Sequence, residues 1–254
     1  MAAMLCLVVL GDAAAAAANA CSRPVSLATG EWEPYGYRDA QGRFTGIDAD
    51  MVRAIFSEAG CSLVELRSMP ASRNLQLFGQ GEIDMMTGAS RTAEREKLAW
   101  FTQPYRNETV GLFSLADEGA RYTDIRSFAE FLGRPLTLLA PRAGWYGNSY
   151  AKNAQLLRTL GRLSEFSDFS QGIRMLAAGR GSFILGDAAA VEHAAARQGV
   201  RIQPLPFWVV EAPVSLMLNK ARLTAGDVQR LDAAIERLRK RGVFDRIRGA
   251  YGGS

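Results

Sequence analysis

The chain has 254 residues, 48% apolar and 22% charged, with a formal net charge of +4, a composition that suits a globular protein with room for one large or two smaller cores. Its basicity is nearly all arginine, interspersed with acids rather than gathered into a stripe with aromatic stacking platforms, which argues against nucleic-acid binding. With His193 as the single histidine, and no Gly-rich phosphate loop, neither a transition-metal centre nor a cofactor is expected, and a Ser-His-Asp triad would have to use His193 on an alanine-rich helix.

Residues 1–20, MAAMLCLVVLGDAAAAAANA, are apolar and end in Ala18-Asn19-Ala20, the small-x-small pattern of a secretory cleavage site. The competing reading, a membrane anchor, meets Asp12 inside a run already short for a span of about 20 residues. An exported, periplasmic chain beginning near Cys21 is expected. Cys21 and Cys61 then each precede an expected strand, residues 25–29 and 62–67. If those strands are parallel neighbours, both thiols share a sheet edge. A disulfide is expected there, with two buried free thiols as the alternative.

Between those strands, Asp48 reads as a helix N-cap, Met51, Val52, Ile55, Phe56 and Ala59 as an apolar stripe, and Gly60 as the stop. This strand-helix-strand unit implies a parallel sheet. A helix over 71–80 and a strand over 83–88 follow. Further on come helices near 127–132 and 145–160, a strand over 134–139, a helix over 187–198 and a strand over 200–205. LFGQGEIDMMTG (77–88) and MLAAGRGSFILG (175–186) echo each other as helix end, glycine stop, strand and terminal glycine. The echo predicts two α/β lobes in which Gly88 and Gly186 occupy equivalent places.

Ligands of parallel sheets lie beyond the carboxyl ends of the strands, which singles out Ser90 and Arg95 in one lobe and Asp187 in the other. Arg91 and Arg95 open a helix, where cations are disfavoured. Two readings fit: Arg95 grips a carboxylate in a forked geometry, or both arginines pair with Glu94, Glu96 and other surface acids.

The combination WEPYGY (32–37), GxxxGxDxDM (42–51), GEID (81–84), SxTxxR (90–95) and FTxPY (101–105) resembles the polar amino-acid family of periplasmic solute-binding proteins of ABC importers, bacterial extracellular solute-binding protein family 3. The resemblance implies an α/β fold of two lobes (type II periplasmic-binding-protein-like), with residues 21–110 and 214–254 in the first, 111–213 in the second, and crossovers near 106–112 and 206–214. It implies a central cleft in which Arg95 holds the ligand carboxylate, with Gly88 and Ser90 beside it, Asp187 takes the ammonium group, and Trp32 or Tyr35 stacks on the side chain. The acid that lysine- or histidine-type binders often carry near the end of the first strand is Thr29 here, and the second-lobe loop reads APRAGWYG. Arg73 and Arg142, added to Arg95, suggest an acidic ligand with more than one carboxylate.

The expected function is non-catalytic capture of a small amino acid or related carboxylate by a monomer, delivered to an ABC permease of the inner membrane. The first alternative is a secreted enzyme resembling cyclohexadienyl dehydratases, with Glu31, Glu33 or Asp187 as acid or base. The second is a ligand sensor for a membrane receptor.

Overall fold

The computed structural model describes residues 20–251, so the expected signal peptide lies outside the described residues apart from Ala20. In chain order the first half runs β1 (Val25–Leu27), β2 (Tyr37–Arg38), β3 (Phe44–Thr45), α1 (Ile47–Ala59), β4 (Leu63–Glu65), α2 (Ala71–Gly79), β5 (Met85–Ser90), α3 (Ala93–Leu98), β6 (Ala99–Phe101) and β7 (Arg106–Leu115). After a short 3-10 segment come α4 (Phe128–Leu132), β8 (Leu138–Pro141), α5 (Asn148–Thr159), β9 (Leu163–Phe166), α6 (Phe169–Ala177), β10 (Phe183–Asp187) and α7 (Ala188–Arg197). The chain closes with β11 (Ile202–Asn219), α8 (Ala225–Lys240) and α9 (Val243–Ala250). No helix among the described residues is long and apolar enough to cross a membrane.

The large sheet has the order β4-β1-β5-β11-β7-β10-β8-β9, and its pairing pattern is the same from either end. β5 lies parallel to β1 and antiparallel to β11, while β10 lies parallel to β8 and antiparallel to β7. The sequence echo is therefore structural: Gly88 and Gly186 are each the fourth residue of equivalent strands. The fold is two-lobed α/β. β7 and β11 pair along their length, from Ile202 opposite Leu115 to Val214 opposite Arg106, and join the halves. The crossovers expected near 106–112 and 206–214 fall within β7 and β11, and β11 is one long strand despite Pro204, Pro206 and Pro213. Prolines cannot donate to a ladder, and the register shifts between Pro204 and Trp208 absorb the first two. Trp208 lies over Gly111, where any Cβ would come within 2.7 Å of its ring.

Separate apolar clusters fill the two lobes. One gathers β1, α1 and the α8 face around Met51, Ile55, Phe56, Leu231 and Ile235. Another gathers Leu112, Phe131, Leu138, Leu157 and Phe183 in the second half. Cys21 and Cys61 form a disulfide, as their placement before the parallel pair β1 and β4 implied.

Asp48 is not the cap of α1. The N-cap is Gly46, with φ of 118°, and a Cβ there would lie 2.4 Å from the Tyr35 carbonyl oxygen, so the turn requires glycine. Asp48 instead points inward and receives a bidentate pair from Arg106, Nε at 2.6 Å and Nη2 at 3.1 Å. The two side chains are 1% and 2% exposed. Burial disfavours the guanidinium charge, but Asp48 beside it, with Tyr105 and Tyr35, outweighs that effect and holds the Arg106 pKa well above its usual value. Removing one member would strand the other charge in the interior. Asp48→Ala is expected to lower the unfolding free energy by about 3–5 kcal/mol in urea titrations, and a loss below about 1 kcal/mol would show the pair to be dispensable.

Candidate functional site

A cavity of about 560 Å³ opens between the lobes. The first lobe contributes Trp32 from the loop after β1, Met86, Gly88 and Ser90 from β5, and Arg95 from α3. β7 contributes Glu108, and the second lobe contributes Arg142, Trp145 and Tyr146 after β8 with Phe169 at the start of α6.

The floor is built on the Arg106 guanidinium. Its carbon lies 3.8 Å from the centroid of the Tyr35 ring and 5.6 Å from that of Trp32. The Trp32 and Tyr35 rings themselves lie 4.9 Å apart. Gly88, with φ of 59°, fits under Trp32, and a Cβ would approach the indole to 2.6 Å. The Gly88 N–H donates to the Tyr105 hydroxyl at 2.8 Å, so this backbone donor is already used.

The helix-start arginines part company. Thr92 caps α3, its hydroxyl accepting from the Arg95 N–H at 3.3 Å. Arg91 is exposed, lies 3.4 Å from Glu96 and sits over the Phe101 ring, which is the surface reading. Arg95 turns to the cavity, where Nη1 donates to the Ser90 carbonyl at 2.8 Å and burial lowers its pKa. The Ser90 hydroxyl donates in turn to Glu108 Oε1 at 2.7 Å. Glu108 was not singled out in the sequence, which placed it in an expected crossover rather than at the site. It is 6% exposed, and burial raises its pKa, which Ser90, Arg106 and Arg95 offset only in part.

Of the expected site residues, Trp32, Gly88, Ser90, Arg95 and Arg142 line the cavity, whereas Tyr35, Arg73 and Asp187 do not. Arg73 is exposed on α2 and donates to its neighbour Gln76 at 2.8 Å, because the helix turns Asn74, Leu77 and Phe78 inward instead. Asp187 is 1% exposed, and its Oδ1 caps α7 through Ala190 N–H and receives the Tyr35 hydroxyl at 2.8 Å. The expected stacking ring and ammonium acceptor thus bond to each other across the lobes. Glu33 adds a second contact of this kind, with Oε2 2.9 Å from His193 Nε2 and 3.0 Å from Arg197 Nη1. His193 is therefore a bridging residue. Glu31, on the cavity rim, accepts from the Ser68 hydroxyl. Met86 is half-buried and faces the cavity. No group of three or more metal-ligating side chains occurs among the described residues.

The fold and this cavity agree with the similarity to known proteins. The family of bacterial extracellular solute-binding proteins, family 3, matches residues 25–254, and the chain belongs to it. A cyclohexadienyl dehydratase of Pseudomonas aeruginosa is 31% identical over 96 residues, a match spanning 37% of this chain and 35% of that enzyme. Among solved structures, a histidine kinase sensor domain with similarity to periplasmic binding proteins superposes with a TM-score of 0.75 at 18% identity, covering 91% of this chain and 96% of that one. An ancestral arginine-binding protein bound to glutamine gives 0.73 at 19% identity, covering 91% and 98%. An amino acid ABC transporter substrate-binding protein from Streptococcus pneumoniae, bound to L-arginine, gives 0.70 at 17% identity, covering 89% and 92%.

An acid whose pKa is raised by folding binds its proton more tightly in the native state. Its stabilising contribution is full at low pH and is lost as pH rises through the native pKa. In ligand-free protein, Glu108→Gln should therefore raise the melting temperature near neutral pH, with the gap to wild type closing toward pH 4. A gap independent of pH would show that Glu108 is not held against its own ionisation.

Proposed function

We propose that the protein is an exported, periplasmic, monomeric binding protein that captures a small amino acid or related carboxylate and presents it to an ABC permease. Residues 21–110 and 214–254 act as one lobe and residues 111–213 as the other, hinged on β7 and β11. One observation carries this reading. Arg95 faces an interlobe cavity with one of its donors engaged among the described residues, on the Ser90 carbonyl, which leaves N–H groups for a carboxylate. The Tyr35–Asp187 and Glu33–His193 contacts between lobes supply the differential interactions that favour closure once a ligand bridges the cavity. Arg142, exposed on the rim with no side-chain partner among the described residues, adds positive potential at the entrance.

A second reading rests on Glu108. A buried carboxyl with a raised pKa beside a carboxylate-binding arginine is the kind of group that can protonate a leaving hydroxyl, as an enzyme resembling the dehydratase would need. Incubation with prephenate, followed by product absorbance, separates the readings, and capture without chemistry predicts no turnover above the uncatalysed rate. A third reading, a sensor presenting the same cavity to a receptor, is separated by pull-down of a permease or a receptor.

Calorimetry on protein stripped by unfolding and refolding tests the capture reading. Arg95→Ala should weaken binding of the preferred carboxylate by on the order of 100-fold, the loss of a charge-assisted forked contact. The melting temperature of the free protein should hardly change. Undiminished binding in that variant would remove Arg95 from the site.

A further inference from the structure

On the basis of that capture reading, we propose that Glu108, and not Asp187, receives the cationic group of the ligand, so that the Ser90-Arg95-Glu108 constellation recognises the zwitterionic head of an α-amino acid with an apolar or aromatic side chain. Asp187 is spent internally. Its carboxylate accepts from Tyr35 and from the α7 backbone, and it is not part of the cavity wall. Glu108 is on that wall, and among the described residues its carboxylate is engaged at Oε1, by the Ser90 hydroxyl. A carboxylate offers about four acceptor positions, so Oε2 keeps its capacity for a donor from the ligand.

Ser90 fixes both charges at once. Its carbonyl holds Arg95 Nη1 at 2.8 Å while its hydroxyl holds Glu108 Oε1 at 2.7 Å. Arg95 and Glu108 nevertheless do not form an ion pair with each other. An opposed cation and anion, held on one wall by a common residue but kept out of contact, match a molecule that carries a carboxylate and an ammonium on the same carbon. The burial of Glu108, compensated only in part by its neighbours, is costly in the empty cavity, and a bound ammonium would relieve it. The same charge repels a second carboxylate. With Arg73 turned to solvent, the three-arginine argument for a dicarboxylate ligand no longer holds. Beyond the charged end, the wall includes Trp32, Met86, Tyr146 and Phe169, which offer a surface for an apolar or aromatic side chain.

The test pairs each of L-phenylalanine, L-leucine and L-methionine with its deaminated acid, and adds glutarate, in calorimetric titrations of stripped wild-type protein, Glu108→Gln and Asp187→Asn. Wild type should prefer at least one amino acid over its deaminated partner by about 10-fold or more. Glu108→Gln keeps an acceptor for Ser90 and should weaken that amino acid by about 10- to 100-fold, while the deaminated acid binds as before or better, which also shows the variant to be folded. Asp187→Asn should shift both members of a pair together. Equal loss or no loss for the pair in Glu108→Gln, selective loss of the amino acid in Asp187→Asn, or preference for glutarate would overturn the assignment while carboxylate capture stood. Wild-type protein that binds no probe would overturn the capture reading, and this inference with it.

Discussion

The bidentate contact between Asp48 and Arg106 is the constraint on which the binding face depends. It ties the first turn of α1 to the first residue of β7, joining the core of one lobe to the start of a connecting strand. Two charges removed from water cost several kcal/mol each unless their geometry is good, so the pair fixes a single arrangement of the groups around it. Trp32, Tyr35 and Tyr105 are arrayed around the same guanidinium, and Gly88 has no side chain because that space is already filled. Trp32, the one of these rings that lines the cavity, is thus held by electrostatics beneath it.

From that floor, β7 carries the argument into the site. Two residues beyond Arg106, side-chain alternation along the strand returns to the same face, and Glu108 sits there beside Ser90 of β5. Closure is held at different points. Tyr35 reaches Asp187, and Glu33 reaches His193 and Arg197, so first-lobe loop residues grip α7 and its cap. On the proposed reading, ligand recognition and lobe contact are divided between two acids, Glu108 and Asp187, both raised in pKa by burial but surrounded by different partners.

Much of the fold was legible in the sequence because it is written in local signals. The stripe of α1 with its Gly60 stop, the Ser127 and Thr92 caps, and the repeated glycine-strand-glycine pattern all act over a few residues. The parallel neighbours β1 and β4 followed from the strand-helix-strand order, and the disulfide from them. β7, β9 and the full length of β11 were missed, β7 and β11 because residues 106–112 and 206–214 were expected as crossovers while their mutual pairing makes them strands. α5 begins at Asn148 rather than near Trp145 because Gly144 and Gly147 both take positive φ. At the site, Arg95 and Ser90 could be read from spacing, since both lie close to one strand end. Asp48, Asp187 and Glu108 could not be sorted, because what separates them is which long-range partner each acid meets: Arg106, Tyr35 or Ser90.

Native mass spectrometry of ligand-stripped protein, incubated with a mixture of the twenty L-amino acids and short dicarboxylates, asks most directly what the cavity holds. Capture of a zwitterion predicts one adduct per chain at the mass of an amino acid, absent when Arg95 is replaced by alanine. A wild-type protein that emerges carrying only a dicarboxylate, or carrying nothing, would contradict it.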